Sequence, residues 1–167
     1  MEKFCVIYQS KYGTTARYAH WVAGQLQAPI FEASQVSASA LKDYEVVIYG
    51  APLYTGRILE AKSLAKSPIK QLVLFTVGIF DPATTDYAQI LKRSQLSPLK
   101  TFHFRGGIDY QKLSGFHRFL NWGLHKFLAK KSSYSPEEQA FLETYQQTID
   151  YSDETTVLPL IEYIQSL

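Results

Sequence analysis

Residues 3–27, "KFCVIYQSKYGTTARYAHWVAGQLQ", decide the fold, and they divide into three pieces. "KFCVIYQ" (3–9) is an unbroken apolar run of strand length, the pattern of a parallel strand covered on both faces. From Gly13 to Gln27 the pattern is helical, with Ala16, Ala19/His20, Ala23 and Leu26 along one face. Between them stands "SKYGTT" (10–15), four hydroxyls and one glycine where a short polar turn would suffice. A helix start leaves backbone N–H groups unpaired, and the helix dipole adds positive potential there. Hydroxyls on Ser10, Thr14 and Thr15, with close backbone approach at Gly13, suit a phosphate. The other reading is an ordinary helix cap with surplus hydroxyls. The loop has neither a nucleotide-hydrolysing nor a dinucleotide-binding glycine pattern, so the phosphate would be a monoester.

The alternation continues along the chain. Strands are expected at 29–34, 45–52, 71–78 and 99–107. Helices are expected at 59–66, 85–95, 113–129 and 135–148, and from "SDETT" toward Leu167. Ser135 and Glu138 have the spacing of a capping box, with Pro136 at the first helical position. Pro159 fits only in the first turn of the last helix or just before it. The sum is an α/β domain with a mostly parallel sheet. Its 167 residues, 46% hydrophobic and 19% charged, suit one globular domain spanning 1–167, with 108–150 as an insertion.

In open parallel sheets, ligands sit beyond the carboxyl ends of the strands. Those ends carry "SKYGTT", "APLYTG" (51–56), "TVGIFDP" (76–82) and "RGG" (105–107). Tyr54 offers a face for a flat ring. Gly78 and Phe80 offer backbone and aromatic contacts, and Asp81 reads as a cap. One phosphate cradle, one stacking aromatic and one glycine-bearing loop at the same edge describe a flavin mononucleotide (FMN) site. No catalytic acid–base pair is evident. The single cysteine, Cys5, reads as a small buried hydrophobe, and no metal-ligand spacing is present.

These loops resemble those of the flavodoxin-like FMN-binding proteins. The resemblance covers roughly residues 1–110 and the final helix. It implies a flavodoxin-like five-stranded parallel sheet in the order 2-1-3-4-5, with helices on both faces and a helical insertion after strand five. FMN would lie at the junction of strands one and three. The implied cofactor-binding residues are Ser10, Lys11, Tyr12, Gly13, Thr14 and Thr15 around the phosphate. Pro52, Leu53, Tyr54, Thr55 and Gly56 would lie on one side of the ring, with Thr76, Val77, Gly78, Phe80 and Asp81 on the other.

A narrower resemblance comes from "FRGGIDYQKLSGFHRFLNWGLHKFLAKK" and "DYSD" (150–153). They look like the insertion of menaquinone-dependent protoporphyrinogen oxidases and its lead into the last helix. It implies an FMN-dependent oxidoreductase passing electrons to a quinone-type acceptor; the alternative is a non-catalytic electron-transfer protein.

Charge narrows the partner. Residues 103–131 hold six Lys/Arg against one acid, net +5, while the whole chain is +2, which leaves −3 on the remainder. A small-molecule or protein redox partner is therefore expected to be anionic. Arg105, Arg118 and Lys126 are the candidate contacts to an anionic substrate. On the segment 113–129, Phe116, Phe119, Leu120, Leu124, Phe127 and Leu128 share one face, and His117, Arg118, Asn121, His125 and Lys126 tend to the other. That face either packs on the domain or meets a membrane interface. Nucleic acid is a poor fit, since no binding module is recognisable. The N-terminus lacks a signal-peptide layout, so the expected location is cytoplasmic, with membrane-peripheral contact through 113–129.

Overall fold

The computed structural model describes residues 2–54, 56–58 and 66–167. Five strands run parallel in one sheet: β1 (Glu2–Tyr8), β2 (Ile30–Glu32), β3 (Tyr44–Tyr54), β5 (Gln71–Gly78) and β6 (Thr101–Arg105). Their order is β2-β1-β3-β5-β6, with β4 (Arg57–Ile58) folding back antiparallel onto the end of β3. Counting only the parallel strands, this is the expected 2-1-3-4-5 order. Tyr8 pairs with Gly50, so β3 extends beyond β1 and carries its last residues out over the carboxyl edge.

The continuous apolar runs follow from burial on both faces. Successive side chains of β1 alternate between two cores: Val6 joins one, Cys5 and Ile7 the other. The first core is closed by α1 (Thr14–Leu26) and α5 (Leu158–Gln165), through Tyr18, Ala19, Val22, Leu160, Ile161 and Ile164. The second is closed by Ile90 and Leu91 of α2 (Tyr87–Arg93) and by Leu41. Cys5 is buried, as expected of a small core residue. The helix expected at 59–66 lies almost wholly outside the described residues.

Gly50 shows how closely the sheet packs. A Cβ there would overlap the ring tip of Phe75, which is itself fully buried and has no room to withdraw. Gly50→Ala is therefore expected to cost about 2 kcal/mol through overpacking, read as a lower urea midpoint at unchanged slope.

Two expectations are corrected at the far edge of the sheet. The strand expected at 99–107 breaks at Gly106. There the N–H donates back to the Gly78 carbonyl (2.7 Å), and the carbonyl accepts from Tyr151 N (3.2 Å). Beyond the break, β7 (Gly107–Ile108) pairs antiparallel with β8 (Ile149–Asp150), a ribbon that closes the root of the insertion. The helical stretch expected at 135–148 ends at Thr144, and the chain at 149–150 is strand. Within the insertion lie α3 (Gly115–Leu128) and α4 (Pro136–Thr144). The α4 capping box is complete: Ser135 N donates to Glu138 Oε2 (3.0 Å) and Glu138 N to Ser135 Oγ (3.2 Å). Pro159 lies in the first turn of α5, where its missing N–H costs nothing.

Candidate functional site

All five parallel strands end at one edge, so the loops after β1, β3, β5 and β6 assemble there. The first, 10–15, feeds α1. Gly13 is the residue before the helix, at φ 93°, a left-handed conformation that a side chain resists. A Cβ on it would meet nothing within 4 Å, so the turn opens onto clear space. The first helical bond runs from Arg17 N to the Gly13 carbonyl (3.0 Å). The N–H groups of Thr14, Thr15 and Ala16 precede that bond, and no side chain caps the helix. By contrast Asp86, Ser114 and Ser135 each cap their own helices. Ser10 Oγ accepts from Gly13 N (3.1 Å), which leaves its hydroxyl hydrogen for another partner. No acid stands in the first turn of α1. A phosphate monoester fits this donor set in sign and in hydrogen-bonding capacity.

The remaining loop residues divide by burial. Thr14 is half-buried and Thr15 is buried, so Thr15 is enclosed beneath the turn. Lys11 and Tyr12 reach sideways into the insertion. Lys11 Nζ lies 3.2 Å from His117 Nε2, and Tyr12 Oη lies 2.5 Å from His117 Nδ1. Because an ammonium only donates, Nε2 accepts, and Nδ1 carries the proton toward Tyr12 Oη and Ser114 Oγ (3.2 Å). Burial holds His117 below the ordinary histidine range, and the Lys11 charge adds to that. The helix α3 is thus fastened to the 10–15 loop by a neutral imidazole.

At the ring end, Pro52, Leu53 and Gly56 are half-buried around the β3–β4 turn. Thr55 and the Tyr54 side chain lie outside the described residues. Across the edge, Gly78 and Phe80 are also half-buried. Asp81 is a cap: its carboxylate accepts from Ala83 N (2.9 Å), and its carbonyl accepts from Thr84 and Thr85 hydroxyls. The side chains of Thr76 and Val77, expected beside the ring, are buried on opposite faces of β5. Val77 packs on the α1 side, and Thr76 is fully buried with its hydroxyl 2.7 Å from His103 Nδ1. The cause is strand register, since both precede the point where β5 leaves the sheet.

His103 sits directly under this loop. Cε1 of its ring would stand 3.1 Å from a Cβ on Gly78, and Nε2 is buried without a hydrogen-bond partner among the described residues. Burial pushes its pKa down to about 4; the Arg105 charge lowers it further, while the Phe80 carbonyl and Asp81 oppose.

The three candidate anion contacts part company. Arg105 borders the ring end, with its guanidinium 3.9 Å over the Tyr151 ring and Nε 3.4 Å from the Ile79 carbonyl. Arg118 is occupied within the insertion, donating from Nε to the Tyr110 carbonyl (3.2 Å) and from Nη2 to that of Gln111. Lys126 is exposed on α3.

The apolar face expected on 113–129 is also redistributed. Leu128 and His117 turn inward, while Phe116, Phe119, Leu120, Leu124 and Phe127 are exposed. His117 and Leu128 are eleven residues apart, about three turns, so they share the face that meets the domain. The reading in which the aromatic face packs on the domain is thereby corrected.

Sequence reasoning missed His103, His117 and Tyr18. The buried Tyr18 donates to the Arg105 carbonyl (2.7 Å) and accepts from Asp153 N (3.1 Å), so α1 holds both arms of the insertion root. The signal for His103 was its parity with Thr101 and Arg105 on a strand; for His117 it was the spacing to Leu128.

Among solved structures, the chain is similar to a WrbA-like flavodoxin from Agrobacterium tumefaciens. The two share 24% identity over 56% of this chain and 69% of that one, with TM-score 0.44. It is also similar to a Lactobacillus acidophilus flavoprotein in complex with FMN (13% identity, 63% and 93% covered, TM-score 0.46). A third is two-electron reduced Megasphaera elsdenii flavodoxin (12% identity, 60% and 82% covered, TM-score 0.47). No curated protein matches the sequence. The flavodoxin domain family matches residues 5–135, a span that takes in all four edge loops and the helix bolted to the first of them. With the five-stranded order and the uncapped phosphate-loop helix already in place, that match establishes that the chain belongs to the flavodoxin domain family, whose cofactor is FMN.

Proposed function

We propose that this chain is an FMN-dependent oxidoreductase that takes electrons from an anionic or planar reductant, of the protoporphyrinogen kind, and passes them to a quinone-type acceptor. The observation that carries this reading over a simple carrier is the contact of His117 with Lys11 and Tyr12, which fastens the +5 segment to the phosphate loop. An anionic substrate is drawn toward such an edge, and a basic partner protein is repelled.

Bound FMN would supply reversible one- and two-electron chemistry. The chain's part is to hold and orient. Ser10, Gly13 and the N–H groups of Thr14 to Ala16 would take the phosphate. Pro52, Leu53, Tyr54, Thr55 and Gly56 would flank the ring on one side, Gly78 and Phe80 on the other. Asp81 keeps the second loop folded, and His103 supports it from below. Of the three candidate anion contacts, Arg105, beside the Ile79 carbonyl after β5, would be the one to meet a substrate carboxylate.

Turnover tests the reading. FMN-loaded protein, given protoporphyrinogen and a water-soluble menaquinone analogue, is expected to reduce the quinone over many cycles. Arg105→Ala is expected to lower kcat/KM about tenfold through loss of a charge-assisted hydrogen bond. Oxidation of neither protoporphyrinogen nor reduced nicotinamide, with electron uptake only from a partner reductase, would mark a carrier instead.

A further inference from the structure

The feature left over is the outer face of α3. Phe116, Phe119 and Phe127 are 68%, 63% and 64% exposed, and Leu120 and Leu124 are more than two-fifths exposed. Their spacing puts them in one stripe along the helix. Trp122, half exposed, stands off one edge of the stripe, next to Arg118 and Lys126. The helix "GFHRFLNWGLHKFL" carries no acidic residue, and Lys130 and Lys131 follow it. The neighbouring face is committed to the domain through His117 and Leu128, and His125 stacks on Tyr145 at 4.1 Å. A monomer seldom leaves so large an apolar stripe in water without a use.

We infer that α3 lies in the surface of a bilayer containing anionic lipid, its phenylalanines and leucines among the acyl chains and its cations at the headgroups. Charge selects this occupant. A second copy would set two +5 segments face to face, which repels. An anionic lipid surface attracts them, each nearby Lys or Arg adding to the binding. The stripe stands on the convex side of a helix, and a bilayer accepts that form with no matching groove. Among the described residues no helix is long and apolar enough to cross a membrane, so the contact is in-plane. The His117 contact then carries the phosphate loop to the lipid surface along with the helix. The inference rests on the helix face alone and stands apart from the redox reading.

Vesicle sedimentation tests it on the full chain. Phosphatidylcholine vesicles containing phosphatidylglycerol are expected to pellet the protein, and phosphatidylcholine alone to pellet at least about tenfold less. Phe119→Ser/Phe127→Ser is expected to weaken pelleting at least about tenfold, from the lost apolar burial. The melting temperature should hold, since both rings are exposed. Lys126→Glu/Lys130→Glu should abolish the preference for anionic vesicles, and Trp122 emission should shift to the blue on binding. Three results would each overturn the inference. One is no pelleting with either vesicle, which points to an acidic protein partner. Another is pelleting by the phenylalanine variant equal to that of the parent. The last is a solution dimer that the phenylalanine variant dissociates.

Discussion

This chain will hold FMN at least about a hundredfold more tightly than riboflavin, because the grip is on the phosphate. The N–H groups of Thr14, Thr15 and Ala16 open α1 without a side-chain cap, and no carboxylate competes in the first turn. A helix N-terminus carries roughly half a positive charge, and a phosphate monoester brings almost two negative ones. Hydrogen bonds to a charged acceptor contribute about 1.5–3 kcal/mol each. Two of them at the lower end give about 3 kcal/mol, or roughly two factors of ten in Kd. Titration by quenching of flavin fluorescence measures both ligands. The gap should narrow as salt rises, since the loop is open to solvent. Gly13→Val should narrow it further, because a branched side chain cannot rest at φ 93° without moving the helix start. Equal affinities for the two flavins would remove the phosphate from the account and the proposed site with it.

The loop that makes this prediction was legible because its chemistry is local. A glycine before a helix and hydroxyls around it are visible in "SKYGTT" whatever the rest of the chain does. The strand order was equally accessible, since buried parallel strands write themselves as unbroken apolar runs. What local pattern leaves open is what long-range geometry decides. Thr76 and Val77 lie inside β5, whose bounds are those expected; which neighbours their side chains meet is set by pairing with β3 and β6, and that is not a local signal. On α3 the amphipathic pattern is real, but periodicity finds the apolar stripe without saying what it faces. His117 settles that, through partners more than a hundred residues away in sequence. Gly106 is a similar case: a glycine pair looks like a strand end, yet its N–H and carbonyl serve Gly78 and Tyr151 on two other segments.

Between pH 6.5 and pH 4 the chain will lose about 3 kcal/mol of stability through His103 alone. In the unfolded chain this imidazole takes up a proton near its ordinary value of 6.5, whereas in the folded chain it does so only near 4. Burial is the chief cause, since Nε2 has no partner among the described residues and the charged form would be stranded under the Gly78 loop. In that window the unfolded state binds more protons, so stability falls as the solution is acidified and is restored above pH 6.5. At about 1.4 kcal/mol per unit, the shift gives the stated loss. Two other groups act in the same sense and can be separated. His117 is also held below its ordinary value by burial and by Lys11, so it adds to the slope. Asp150 is held down to about 2, first by the Ser152 hydroxyl and then by Arg17, so its contribution is lost only as the pH falls below 3.8. Urea unfolding at pH 7, 5.5 and 4.5 reads the effect. His103→Asn, which keeps a polar atom for Thr76, should flatten most of the slope; His117→Gln should remove part of the rest. A variant at position 103 with the full parental slope would show that the imidazole beneath the flavin-side loop is not the group that acid attacks.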